Sequence, residues 1–169
     1  MKILMIYSSR TGNTEKICRA AAEELPKCDI YKVEEAPAPE SYDLICLGYW
    51  VDKGMPDAKA REYLKDISNK KVVLFGTLGA WPDSDHAKEC IAKSKAMLDG
   101  RGNTVLGSFI CQGKVDPKIV EMIQKMPNPV HIMDEERKAR LAEAAKHPDE
   151  KDFANAKEFI RSIYASLKG

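Results

Sequence analysis

The sequence lacks a C-x-x-C pair, although it carries five cysteines at positions 18, 28, 46, 90 and 111. An odd count without that spacing argues against a disulfide framework or an iron–sulfur site, and the three histidines (86, 131 and 147) have no zinc-ligand spacing. Cys18, Cys46 and Cys90 sit among apolar residues and read as reduced core residues. Net charge is nearly absent as well: 27 basic residues against 26 acidic ones leave +1. Such a balance creates no long-range field for nucleic acid or an anionic membrane. No apolar run approaches the roughly 20 residues that cross a bilayer, and the first residues read as a strand rather than a signal peptide. A soluble, cytoplasmic, monomeric protein is expected. The two common glycine-rich phosphate loops are missing too, since neither G-x-x-x-x-G-K-[ST] nor G-x-G-x-x-G occurs. Gly100-Arg101-Gly102 follows a predicted helix and reads as its C-terminal stop.

What is present suffices for one ordinary domain over residues 1–169, with 44% hydrophobic and 31% charged residues. Strand and helix patterns alternate. Residues 1–7 form an apolar strand, and an amphipathic helix follows with Ile17, Cys18, Ala21, Ala22 and Leu25 on its inner face. Residues 29–33 read as a short peripheral strand. Residues 44–49 and 71–77 are unbroken apolar runs, as buried parallel strands require, and residues 104–112 form a fifth strand. Helices are expected at 57–67, 85–98 and 117–125. This alternation predicts an α/β fold with a doubly wound, five-stranded parallel sheet in the order 2-1-3-4-5, sandwiched between two helix layers. Beyond this 1–125 core, Pro127-Asn128-Pro129 breaks the chain, a mostly charged helix spans 135–146, and a closing helix runs from Pro148-Asp149 to Leu167. This 126–169 extension is expected to end on the sheet.

The most informative segment is Ser9-Arg10-Thr11-Gly12-Asn13-Thr14, between the first strand and the first helix. Free N–H groups and the dipole of a helix N-terminus favour an anion there. Three hydroxyls can donate to phosphate oxygens, and Gly12 lets the backbone come close. Arg10 is the segment's only cation, and no lysine is available to reach the β- and γ-phosphates of a triphosphate. A hydroxyl-lined loop of this kind suits one terminal monoester phosphate that is held and not transferred.

These residues match the pattern [ST]-x-T-G-x-T, and the chain in this respect resembles the flavodoxin family. The resemblance covers about residues 1–125, in the short-chain form of the family. It implies a flavodoxin-like fold, FMN as cofactor and redox proteins as partners. It also implies that the flavin ring lies over the ends of the third and fourth strands. The loop after the third strand contributes Tyr49, Trp50, Val51, Asp52, Lys53 and Gly54; that after the fourth contributes Thr77, Leu78, Gly79, Ala80 and Trp81. The only two tryptophans of the chain, Trp50 and Trp81, are thereby expected on opposite faces of the ring. Gly54 is the candidate for the peptide that, in the family, turns its carbonyl toward flavin N5 on reduction. Lys53 stands where acidic residues are common in the family, and the near-neutral charge also departs from the acidic flavodoxins. A third loop, Cys111-Gln112-Gly113-Lys114, is expected beside the pyrimidine edge, with Cys111 structural because no histidine partners it.

The function expected on this reading is electron transfer between redox partners or to a dedicated reductase, with no catalytic residue and no metal. The alternative is an FMN-dependent NAD(P)H or quinone oxidoreductase on the same fold, which needs room over one flavin face. A signalling receiver of the same strand order is set aside, because Ser8-Ser9 and Gly48-Tyr49 stand where receivers need acidic residues.

Overall fold

The computed structural model describes residues 1–126 and 132–169. The expected break at Pro127-Asn128-Pro129 and the third histidine, His131, lie outside the described residues. Strand β1 (Ile3–Tyr7) is buried along its whole length, because helices cover both sides of the sheet. Its side chains alternate between two cores. Ile3, Met5 and Tyr7 meet Ile17, Cys18 and Ala21 of α1 (Asn13–Ala22), whereas Leu4 and Ile6 meet Ala60, Tyr63 and Leu64 of α2 (Ala58–Asp66).

The other strands are β2 (Cys28–Lys32), β3 (Leu44–Asp52), β4 (Met55–Pro56), β5 (Lys71–Leu78) and β6 (Thr104–Gln112). The parallel sheet runs β2-β1-β3-β5-β6, which is the expected 2-1-3-4-5 once β4 is left out of the count. β4 is a two-residue antiparallel addition to the end of β3, pairing Val51 with Pro56 and Asp52 with Met55. The third strand therefore runs three residues past the expected 44–49 and turns back through Lys53 and Gly54. Their φ angles of 49° and 76° are both positive, as the tight hairpin turn matching strand twist requires.

Helices α3 (Asp85–Ala96), α4 (Pro117–Lys125), α5 (Glu135–Ala144) and α6 (Glu150–Ser166) complete the chain. Helix α6 packs on the sheet beside α1. Ala156 and Ile160 are fully buried, and Phe159 meets Phe75 edge-on at 5.6 Å. Helix α5 buries only Ala144, consistent with its charged sequence. Five of these helices start on a capping side chain: Asp57, Ser84, Asp116, Asp134 and Asp149 each accept a first-turn N–H. Helix α1 does not. Its N-cap is Gly12, with φ of 94°, and no side chain accepts from its first turn.

Candidate functional site

The uncapped start of α1 opens into a cleft of about 650 Å³ at the C-terminal edge of the sheet. Trp50, Thr77 and Cys111 stand in one row across that edge, in register on β3, β5 and β6. The cleft lies where the chain leaves the neighbouring strands β1 and β3 for helices on opposite sides of the sheet, the position at which doubly wound sheets bind ligands.

Its polar end is held by buried hydrogen bonds. Ser8 donates its hydroxyl to Asp57 Oδ1 at 2.6 Å, and its backbone N–H to Gly48 O at 2.9 Å. The same carboxylate of Asp57 accepts from the N–H groups of Lys59, Ala60 and Trp50. One buried side chain thus ties together the ends of β1 and β3 and the start of α2. Thr14, almost fully buried, shares a 2.8 Å hydrogen bond with the Thr77 hydroxyl on the cleft wall. Ser9 Oγ accepts from Gly12 N–H at 3.1 Å, which closes the turn, and Asn13 Nδ2 donates to Lys114 O at 2.9 Å.

The other end is apolar. Trp50 and Val51 form one part of it, Leu78 and Gly79 another, and Ile119, Met122, Ile123 and Met126 from α4 and its end line it as well. None of the residues of α4 is buried, and Met122 and Met126 are more than half exposed. Arg10 spans the mouth: its Nε donates to Asp116 Oδ2 at 2.9 Å, and its guanidinium carbon lies 5.8 Å from the Trp50 ring centre. The Arg10 guanidinium, with the Lys118 N–H, holds the Asp116 carboxyl below its usual range.

Of the residues expected at the site, Ser9, Arg10, Thr11, Asn13, Thr14, Trp50, Val51, Asp52, Lys53, Thr77, Leu78, Gly79 and Gly113 line this cleft. Gly12 supports it as the N-cap of α1. The remaining six sit elsewhere. Tyr49 points into the core shared with α2, where burial raises its phenol to about 12. Cys111 points into the core beside α1 and α6, and burial pushes its thiol up, so it is no nucleophile. Gln112 is buried with no hydrogen-bond partner for its Nε2. Gly54 is buried in the β3–β4 turn, where an added Cβ would lie 3.5 Å from His86 and 3.7 Å from Lys93.

Trp81 is the main departure, and Ala80 goes with it: neither lines the cleft. Ser84 donates to Trp81 O through both its N–H and its hydroxyl, which fixes the turn that starts α3 and leaves Trp81 37% exposed. The apolar wall comes from α4 in its place. Lys114 of the expected third loop lines the cleft, and sequence reasoning missed Val115, Asp116, Ile119, Met122, Ile123 and Met126. A signal was available: α4 has an apolar stripe with nothing on the sheet left for it to cover.

Among the described residues, the cluster of metal-ligand types is His147, Asp149 and Asp152, with ligand atoms within 4.8 Å of one another. These groups already bond each other, since Asp149 and Asp152 form the capping box of α6 and His147 Nδ1 contacts Asp152 at 2.5 Å. No helix among the described residues is long and apolar enough to cross a membrane.

The model of the flavodoxin domain family matches residues 4–161. The chain belongs to that family. It is 38% identical to a flavodoxin-like domain-containing protein, BilS, of Clostridioides difficile, with 96% of each chain covered. Among solved structures it is similar to oxidised flavodoxin 2 from Bacillus cereus, with a TM-score of 0.63, 20% identity, and 98% of this chain and 99% of that one covered. It is also similar to a flavoprotein in complex with FMN from Lactobacillus acidophilus, with a TM-score of 0.53 and 18% identity over 73% of this chain and 99% of that one. FMN is the cofactor of this family, whose members exchange electrons with partner proteins. The residues present fit FMN: an uncapped helix start with three nearby hydroxyls at one end, a tryptophan and an aliphatic wall at the other.

Proposed function

We propose that the protein is an FMN-holding electron carrier that passes electrons between redox proteins or to one dedicated reductase. The observation that carries this reading is the two-ended cleft. Its polar end offers the first-turn N–H groups of α1 and the hydroxyls of Ser9, Thr11 and Thr14, as a phosphate monoester requires. Its apolar end offers the Trp50 ring and the α4 side chains, as a flat heteroaromatic ring requires. Bound FMN supplies the chemistry, accepting and releasing electrons one or two at a time.

The chain's own residues have three tasks. Ser9, Thr11 and Thr14 fix the cofactor by donating to its phosphate. Trp50 and Ile119, Met122, Ile123 and Met126 keep water from the ring and make added negative charge costly. Lys53 of the β3–β4 turn supplies a cation near one ring edge. No side chain at the cleft forms a nucleophile–base pair, and the reading therefore assigns no catalytic residue.

The test is one preparation. Purified protein supplied with FMN turns yellow at one equivalent, and stepwise reduction proceeds through two resolved one-electron couples. Failure to take up FMN overturns the proposal. Turnover of NAD(P)H with a quinone, in the absence of any other protein, replaces the carrier with the reductase.

A further inference from the structure

A second cavity, of about 360 Å³, lies beside the flavin cleft and shares Thr11, Asn13, Lys114, Val115 and Asp116 with it. Its outer wall is formed by residues 145–148 at the junction of α5 and α6. The charge of its lining is one-sided. Lys16, Lys114 and Lys146 face one lining carboxylate, that of Asp116, which is already engaged by Arg10 at 2.9 Å, while the His147 ring is bonded to Asp152 and Glu143. Neither the Lys16 nor the Lys114 ammonium has a hydrogen-bond or ion-pair partner among the described residues, and the Lys146 ammonium reaches Glu143 at 2.7 Å. Across the two linings together, Arg10, Lys16, Lys53, Lys114 and Lys146 stand against Asp52 and Asp116. That is five cations to two carboxylates on one face, in a chain whose net charge is +1.

The wall is held in shape. Asn13 Nδ2 donates to Lys114 O at 2.9 Å, and Lys114 N–H donates to His147 O at 3.0 Å. The lysines therefore converge from a braced backbone, α1, the β6–α4 loop and the end of α5. Low-dielectric walls lined by one sign of charge concentrate the field and raise the local density of the opposite sign. A cavity of this size, open at the surface, admits one or two carboxylate side chains and no folded element.

We propose that this basic cavity, built by Lys16, Lys114 and Lys146, is the docking point for an acidic segment of the redox partner. The proposal rests on the electron-carrier reading. A glutamate or aspartate seated there brings its protein against the Thr11–Asn13 wall, one residue layer from the flavin cleft. Association is then steered by charge and falls with ionic strength.

The test uses the ¹⁵N-labelled, FMN-supplied protein and a hexaglutamate peptide as probe, with amide shifts followed at Asn13, Lys16, Lys114, Lys146 and His147. Saturable shifts at low salt are expected. They should weaken about tenfold in Lys16→Glu with Lys146→Glu, a pair that lies outside the flavin cleft. They should also weaken at about 0.3 M salt, and Lys16→Gln with Lys146→Gln should fall between. FMN affinity, read from the visible spectrum, should stay within twofold of the parent.

Unsaturable shifts, or equal peptide affinity in the charge-reversed protein, overturn the docking site. Loss of FMN in that variant also overturns it, since the lysines then serve the cofactor's phosphate. So does displacement of the peptide by inorganic phosphate at equal or lower concentration, which marks a small-anion site. Absence of FMN uptake by the parent sinks the carrier reading and is scored on the spectrum, separately from the peptide shifts.

Discussion

The two ends of the flavin cleft are built by opposite means. At the phosphate end, Ser8, Thr14, Asp57 and Thr77 are buried and joined by hydrogen bonds of 2.6 and 2.8 Å. At the ring end, α4 buries none of its residues and the β3–β4 turn bends through two positive φ angles. A buried hydrogen-bond network is costly to leave half-made, so the first end has one arrangement. An exposed amphipathic helix gains little from any single contact, so the second can yield to what it covers. The division suits the proposed carrier, in which the cofactor would be anchored through its phosphate while the edge that meets partners stays accessible.

The largest expected effect breaks the rigid end. In Thr11→Ala with Thr14→Ala, two neutral donors to a charged phosphate are lost, each worth roughly 1.5–3 kcal/mol. FMN affinity should fall about a hundredfold or more by fluorescence titration. Ile119→Ala with Ile123→Ala at the ring end trims two half-buried side chains and should weaken FMN about tenfold at most. Equal losses in the two double variants would remove the distinction between the ends.

The second effect is on stability. Asp57→Ala deletes the cap of α2 and leaves the Ser8 hydroxyl and the Trp50 N–H without their acceptor. Cap loss costs about 1 kcal/mol and unmatched buried groups about as much each, near 3 kcal/mol in all. Urea denaturation should show that drop, with Asp57→Asn, which keeps one carbonyl oxygen, losing less. A loss under about 1 kcal/mol would mean that the Asp57 node is not what holds the end of β1 to α2.

How much of this was legible follows from the range over which each feature is determined. The strands could be read because the double burial of β1, β3 and β5 demands continuous apolar runs, and Ser9 to Thr14 because a local pattern specifies a local structure. Asp57 was legible as the start of the helix expected at 57–67. Its bonds to Ser8 and Trp50 join residues 49 and 7 positions apart, and only the packed strand ends bring them together. Trp81 was expected at the ring from its position after a central strand, and in the structure it does not line the cleft. The Ser84 bonds hold the Trp81 carbonyl in the turn that starts α3. The role of α4 was hidden, since its apolar stripe names no partner until the strand ends are placed.

The third effect sharpens the ring end. Lys53 lines the cleft, is exposed, and sits in the αL turn after β3. At about 6 Å from an added negative charge, an effective dielectric of 20 gives about 3 kcal/mol, which solvent should cut to about 1. For one electron that is about 40 mV. Lys53→Glu should make the second-electron potential more negative by tens of millivolts in redox titration, and more so at low salt. An unchanged potential at low ionic strength would place the ammonium in solvent, away from the ring.

The smallest effect concerns the brace behind the rigid end, where His147 accepts the Lys114 N–H through its carbonyl oxygen. The imidazole lies between Asp152, at 2.5 Å from Nδ1, and Glu143, at 3.4 Å from Nε2. The Asp152 hydrogen bond, aided by the charges of Asp152, Asp149 and Glu143, raises the His147 pKa above its ordinary value of 6.5 against the opposing effect of burial. A group whose pKa is higher folded than unfolded stabilises the fold fully below the unfolded value. That contribution is lost as pH climbs through the raised folded value. Glu143 and Asp149 are shifted the other way, held low chiefly by Lys146 and by the backbone N–H of Asp152, respectively, and their contribution fades in acid. The knot should therefore stabilise most in mildly acidic solution. Thermal melts of the parent should fall from pH 6 to pH 8 relative to those of His147→Gln, which cannot titrate. Parallel curves would show that the imidazole titrates alike in the folded and unfolded chain and that the backbone bond to Lys114 alone braces the wall.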